Sequence, residues 1–327
     1  MNINLIGRFG DYDGSMNQGS YRIWINDLQY YFKEVGINSE INAQNPDKCS
    51  VHIYCKNLFR VGPIDSSKIN GCINPNSDQG EKIKEYDFAI VGSIEERESI
   101  IKYIKHVFIF PLIEKMYLHV EPKNHVKKDQ IIIGYHGNPH HLNHFHLGLK
   151  GALEKLSKEF NILLKFTTGT DSEWTIGKPN IPCEFKKWEL DTILSTIQTF
   201  DIGIVPNISQ AIQNNKMDTN MAIGLHNTDY QVRFKNKSNN GRILVLAQCG
   251  IPIVADITPS NLHLLGNPDN GFACSSEEGW FDSLYKLCKD HELRNFVSKN
   301  AYDEVKRLYD PLKWAEKLYE NILKIKK

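Results

Sequence analysis

Phe234–Asp256 reads FKNKSNNGRILVLAQCGIPIVAD. Its first part is polar: Lys235, Lys237, Ser238, Asn239, Asn240, Gly241 and Arg242. Ile243, Leu244, Leu246 and Ala247 then recur at helical spacing. Gly250 stops that helix, and Ile251–Ala255, around Pro252, reads as a short buried strand. Ser238 or Asn239 suits the N-cap. Free N–H groups at a helix start attract anions, and Lys237 and Arg242 add positive charge beside them. A phosphate or diphosphate fits this pattern, and so does an ordinary capped helix with solvated basic residues.

Working outward, strands and helices alternate in both directions. Toward the N-terminus, Ile3–Ile6, Ile37–Ile41, Ser50–Cys55, Ile69–Ile73, Tyr86–Gly92 and His106–Leu112 read as strands. Tyr21–Gly36 and Glu95–Lys105 read as amphipathic helices. Ile131–Gly137 is a buried strand running into a glycine turn, with a helix from Asn138 to Leu156. Asn161–Thr167, Ile181–Phe185 and Asp201–Pro206 are further strands, with a helix over Leu190–Phe200. Beyond the opening stretch come a strand, Gly271–Ser276, and helices over Glu277–Lys289, Glu292–Leu308 and Pro311–Ile325. This alternation implies an α/β fold of parallel sheets covered by helices. The charged stretch Glu121–Gln130, EPKNHVKKDQ, reads as a domain linker.

The chain has 327 residues, enough for two domains, and equal totals of 39 basic and 39 acidic residues. That balance argues against a protein whose main task is neutralising a nucleic-acid backbone. No apolar run reaches the ~20 residues of a membrane span, and MNINLIGRFG lacks the features of a signal peptide. The seven cysteines contain no C-x-x-C pair and read as reduced, mostly buried thiols of a cytoplasmic protein. No G-x-G-x-x-G and no G-K-[ST] is present, so neither a dinucleotide fingerprint nor a P-loop is supported. His140 and His144 are four apart on a predicted helix, but the glutamate of H-E-x-x-H is missing, and the expectation is no metal.

The cationic Ser/Asn-rich helix start followed by GIPIVAD resembles the C-terminal domain of GT-B glycosyltransferases of the group 1 (GT4-like) kind. The stretch IIIGYHGNPHHL, residues 131–142, is similar to the opening of that domain. The resemblance implies two Rossmann-like domains facing a central cleft. Residues 1–125 would form the acceptor-side domain and 126–309 the nucleotide-sugar-binding domain. Residues 310–327 would be a last helix crossing back to the first domain. The implied activity moves a hexosyl group from a UDP- or GDP-linked sugar to a glycan or lipid-linked acceptor, with no cofactor or metal required. The implied setting is cytoplasmic polysaccharide biosynthesis, with peripheral contact at the inner face of the membrane where the acceptor is lipid-linked.

Site residues follow on the same basis. Gly137, Asn138, Lys237, Ser238, Asn239, Asn240 and Arg242 are the diphosphate candidates, because preorganised cations and N–H groups stabilise a leaving diphosphate. Relatives often carry arginine and lysine after the domain's first strand, where this chain has Tyr135, His136 and Asn138. His136, at the strand end, is a catalytic candidate. Asp13, or Asp11, in the loop after the first strand, is the candidate general base if the reaction inverts. Gly19, Ser20 and Arg22 of the same loop would face the acceptor. Thr168 and Trp188 would edge the nucleobase. The polar stretch Asn207–Arg233 reads as a lid or acceptor-facing insertion. Many retaining members carry two glutamates around the central helix, and the matching positions here are Lys237 and Val245. Val245 cannot hold a ribose hydroxyl. A sugar-nucleotide epimerase, a phosphorylase and a non-catalytic nucleotide-sugar-binding subunit therefore stay open as alternatives.

Overall fold

The structure is a computed structural model. It describes residues 1–7, 16–55, 64–75, 80–143, 147–171, 174, 177–207, 212–213, 216–217 and 239–325. Two compact units divide the chain. One comprises Met1–Leu118, Asn239–Gly241 and Arg307–Lys327; the other comprises His119–Ser238 and Arg242–Lys306.

The first unit holds strands β1 (Ile3–Ile6), β2 (Ser39–Ile41), β3 (Val51–Cys55), β4 (Ile69–Ile73), β5 (Phe88–Val91) and β6 (His106–Ile109). They form one parallel sheet in the order β2-β1-β3-β4-β5-β6. Parallel sheets are covered on both faces, and their strands therefore read as near-continuous apolar runs such as Phe88–Val91. The covering helices are α1 (Gly19–Tyr21), α2 (Leu28–Glu34), α3 (Gly80–Ile83) and α4 (Ile94–Ile100). Ser93 caps α4 by accepting the Glu96 N–H at 3.0 Å. The helix expected over Tyr21–Gly36 is interrupted: Arg22–Asp27 is a π-helical stretch that leads into α2. It buries Arg22 and Asp27 along with Trp24 and Ile25.

The second unit holds β7 (Ile131–His136), β8 (Ile162–Thr168), β9 (Cys183–Lys187), β10 (Ile202–Val205), a small hairpin of β11 (Ile212–Gln213) and β12 (Lys216–Met217), β13 (Ile253–Asp256) and β14 (Phe272–Cys274). Its main sheet is parallel in the order β14-β13-β10-β7-β8-β9. The close approach of α/β layers has a sequence cause: a Cβ at Gly134 would stand 2.0 Å from the Phe200 ring. The helices are α5 (His140–Asn143), α6 (Leu147–Leu156), α7 (Leu190–Ile197), α8 (Gly241–Gln248), α9 (Pro259–Leu265), α10 (Glu277–Lys289) and α11 (His291–Leu308). The last helix, α12 (Pro311–Leu323), starts at the Asp310 cap. Its Ala315, Leu318 and Ile322 pack in the first unit's core with Trp24, Leu28 and Phe32.

Strand order reverses direction at β7 and β10 in the second unit and at β1 and β3 in the first. Chains leave adjacent strands in opposite directions at such points and open a crevice at the strands' carboxyl ends, where ligands bind in α/β folds.

The stretch read as a linker is tied to the second unit. His125 receives and donates backbone hydrogen bonds with the Asn295 side chain at 2.8 and 2.7 Å. Its Nε2 lies 2.9 Å from the Gly250 carbonyl. Lys123 and Lys128 both reach Asp201, at 3.1 and 2.7 Å. Among the described residues, no helix is long and apolar enough to cross a membrane.

Candidate functional site

In the second unit, Arg242 occupies the reversal point. It is the second residue of α8, so its backbone lies at a helix N-terminus. Its Nη1 donates to the Tyr135 hydroxyl at 3.2 Å, at the end of β7. Its Nη2 donates to the Pro206 carbonyl at 3.2 Å and to Asn207 Oδ1, both just beyond β10. The guanidinium also lies 5.4 Å from the centre of the Tyr135 ring. Tyr135 is held in turn: its hydroxyl donates to the Asn138 carbonyl at 2.8 Å. Burial raises the pKa of that phenol, with the Arg242 charge opposing. Among the described residues, every acceptor of this arginine is neutral, and its side chain is only part-buried. A cation anchored by neutral groups keeps its charge for an incoming anion.

The turn after β7 is shaped around the same arginine. Gly137 has φ +133° and its N–H donates to the Thr167 carbonyl at 3.1 Å. Asn138 is exposed beside it. His136 is 7% exposed, and its Nε2 is buried without a hydrogen-bond partner among the described residues. Burial, helped by the Arg242 charge, pushes its pKa down to about 3. The imidazole is therefore neutral near pH 7.

Asn207 and Asp256 were not singled out from the sequence, and they complete this arrangement. Asp256 is 0% exposed. One of its oxygens accepts the Asn207 N–H at 2.6 Å and the other the Trp280 indole N–H at 3.3 Å. The available signal was Val-Pro-Asn at the end of β10, on the reversal point. Thr168 and Trp188 are brought together at the ends of β8 and β9, where the Trp188 N–H donates to the Thr168 carbonyl at 2.8 Å. The Thr168 hydroxyl itself donates to the Thr170 carbonyl at 2.6 Å. Val245 is buried in α8, so the position that the resemblance matches to a second glutamate packs into the core.

In the first unit, Gly19 and Ser20 lie half-buried in α1, and the Cys55 thiol donates to the Ser20 carbonyl at 3.6 Å. Arg22 differs from an exposed acceptor-facing cation. It is 5% exposed, and its Nε and Nη2 both donate to Glu114 Oε2, at 3.1 and 2.7 Å. The π-helical stretch turns it inward. Burial raises the Glu114 pKa against the pull of Arg22. Asp27 lies close by, accepts the Lys115 N–H at 3.1 Å, and is pushed up to about 6 by burial.

Just before α8, Asn239 Oδ1 accepts the Gly241 N–H at 3.3 Å while its Nδ2 donates to Glu96 at 3.1 Å. The Asn240 amide donates to the Tyr309 hydroxyl at 3.4 Å. Asp11, Asp13, His144, Lys237 and Ser238 lie outside the described residues, as does most of Asn207–Arg233. Among the described residues, no group of three or more His, Cys, Asp and Glu side chains is arranged to hold a metal ion.

No protein-family model matches the sequence, and no curated protein matches it. Solved structures do. Sucrose-phosphate synthase from Thermosynechococcus elongatus aligns at TM-score 0.62 and 12% identity, over 98% of this chain and 99% of that one. WaaG, a glycosyltransferase involved in lipopolysaccharide biosynthesis, aligns at TM-score 0.62 and 10% identity, over 98% of this chain and 99% of that one. A TarM variant from S. aureus, in complex with fondaparinux, alpha-GlcNAc-glycerol and UDP, aligns at TM-score 0.58 and 12% identity over 90% of this chain. This chain spans 58% of the length of that one. The two parallel six-stranded sheets with flanking helices are the α/β GT-B fold of these glycosyltransferases.

Proposed function

We propose that this chain is a glycosyltransferase that transfers a hexosyl group from a UDP- or GDP-linked sugar to a glycan or lipid-linked acceptor. One observation carries the reading: Arg242 stands at the β7/β10 reversal point, anchored by neutral acceptors. As the glycosyl bond breaks, negative charge grows on the diphosphate. A fixed guanidinium and the N–H groups at the start of α8 stabilise that charge without reorganising. Lys237 and Ser238 are assigned to the same site from the sequence, as are Gly137 and Asn138. Thr168 and Trp188 are the nucleobase-edge candidates. The TarM complex holds UDP, which supports uridine first among the bases to try.

Asp13 is the proposed base for an inverting reaction, Gly19 and Ser20 contribute to the acceptor side, and His136 acts as a neutral hydrogen-bonding group. The chemistry proposed needs no cofactor, and the setting is cytoplasmic, at the inner membrane face where the acceptor is lipid-linked. Titrating UDP, GDP, uridine and guanosine into wild type and Arg242→Ala tests the site. A charge-assisted hydrogen bond contributes about 1.5–3 kcal/mol, so the diphosphates should weaken about tenfold or more while the nucleosides do not. Equal diphosphate affinity in the variant removes Arg242 from the site.

A second reading is a nucleotide-sugar-binding subunit without transfer activity. The buried Val245 at the glutamate position favours it. Product analysis with donor alone and donor plus acceptors separates the two readings and also exposes an epimerase.

A further inference from the structure

We propose that Asn207 is a positioning residue for Arg242, and that its neutrality is what leaves the arginine free to hold a diphosphate. The proposal rests on the reading of Arg242 given above. Asn207 is 3% exposed and touches the network on two sides. Its backbone N–H is fixed by Asp256 at 2.6 Å, and its side-chain oxygen receives Arg242 Nη2. The chain order is therefore carboxylate, backbone amide, side-chain amide, guanidinium. The buried Asp256 carboxyl thus anchors Arg242 through a neutral residue.

The side-chain amide is orientated by the arginine. Its Nδ2 is buried without a hydrogen-bond partner among the described residues. Leaving a buried donor unfilled is unfavourable. The amide keeps this orientation because the reverse one would set an N–H donor against a guanidinium, which accepts no hydrogen bond.

The first unit supplies the contrast within one chain. Arg22, which is buried, meets the Glu114 carboxylate at 2.7 Å and has its charge compensated there. A carboxylate at position 207 would do the same to Arg242 and oppose an incoming diphosphate.

The test compares Asn207→Ala and Asn207→Asp with wild type and Arg242→Ala, reading the ratio of UDP to uridine affinity and of GDP to guanosine affinity. Asn207→Ala keeps the backbone N–H to Asp256 and loses the anchor, and its diphosphate affinity should fall about tenfold. Asn207→Asp should fall further, on the order of a hundredfold, because attraction becomes compensation. A purely structural residue would shift melting temperature without moving either ratio. If Arg242→Ala loses diphosphate binding while both Asn207 variants keep the wild-type ratio, the positioning proposal is overturned and the site stands. If Arg242→Ala itself binds diphosphate normally, the underlying reading fails first. Should Asn207→Asp not fold, Asn207→Ala decides by the same ratio, and loss of folding in both makes Asn207 structural and overturns the proposal.

Discussion

A Cβ placed on Gly137 would stand 3.0 Å from Cδ of Arg242 and 3.3 Å from the Tyr135 hydroxyl. The glycine also has φ +133°, a backbone conformation that side chains disfavour. Gly137→Ala therefore pushes on the arginine and strains the turn together. Diphosphate affinity should fall about tenfold, with about 1–2 kcal/mol of lost stability. Isothermal titration with UDP and GDP, alongside denaturant melts, reads both. Wild-type affinity in a destabilised variant would separate the turn from the site.

Arg22 and Glu114 should behave as a structural pair. Removing one partner of a buried ion pair leaves an uncompensated charge and costs about 3–5 kcal/mol. Arg22→Ala is expected to lose stability on that scale, with diphosphate affinity per folded molecule unchanged. Chemical denaturation gives the first quantity and titration the second. An Arg22→Ala protein of normal stability that fails only in acceptor use would restore Arg22 to the acceptor side.

Asp27 has the opposite sign. Its carboxyl pKa in the fold is about 6 against an ordinary 3.8, so the folded state favours the protonated form. Any stability this gives is complete below about pH 3.8 and is lost as pH rises through about 6. Asp27→Asn, which keeps an acceptor for the Lys115 N–H, should therefore stabilise the protein at pH 7 by on the order of 1–3 kcal/mol. The gain should vanish near pH 3.5–4. Parallel melts at the two pH values decide it, and a loss of stability at pH 7 would mean the carboxylate has a favourable partner there.

Acid should act through two buried histidines. His136 and His125 are held at about 3 and about 4, mainly by burial, below an ordinary 6.5. Groups with depressed histidine pKa values favour the neutral form in the fold. Their stability is complete above about pH 6.5 and is lost as pH falls toward their folded values. Each should contribute a slope of about 1.4 kcal/mol per pH unit within its window. His136→Gln should lower the slope between pH ~4 and ~6 by about one proton. An unchanged slope would mean that His136 is solvated and titrates normally.

Much of the fold is legible in the local pattern. The runs Ile131–His136, Phe88–Val91 and Ile253–Asp256 are apolar because both faces of a parallel sheet are covered. The Ser276 and Asp310 caps follow local rules of the same kind. Arg242 was legible as a cation at a helix start. Its anchors were not: Tyr135, Asn207 and Asp256 are far apart in sequence and meet only through strand order. Arg22 read as an acceptor-facing loop residue, whereas the π-helical stretch buries it with Asp27.

By itself, then, the sequence determined the alternation of strands and helices, the parallel sheets and the anion-ready start of α8, because periodicity and capping act over a few residues. The tertiary structure alone decided which arginine is paired with a carboxylate and which meets neutral acceptors. Strand order set Glu114 against Arg22 and, among the described residues, neutral acceptors against Arg242. The worth of a charge depends on its neighbours in space, and those neighbours are assigned by topology.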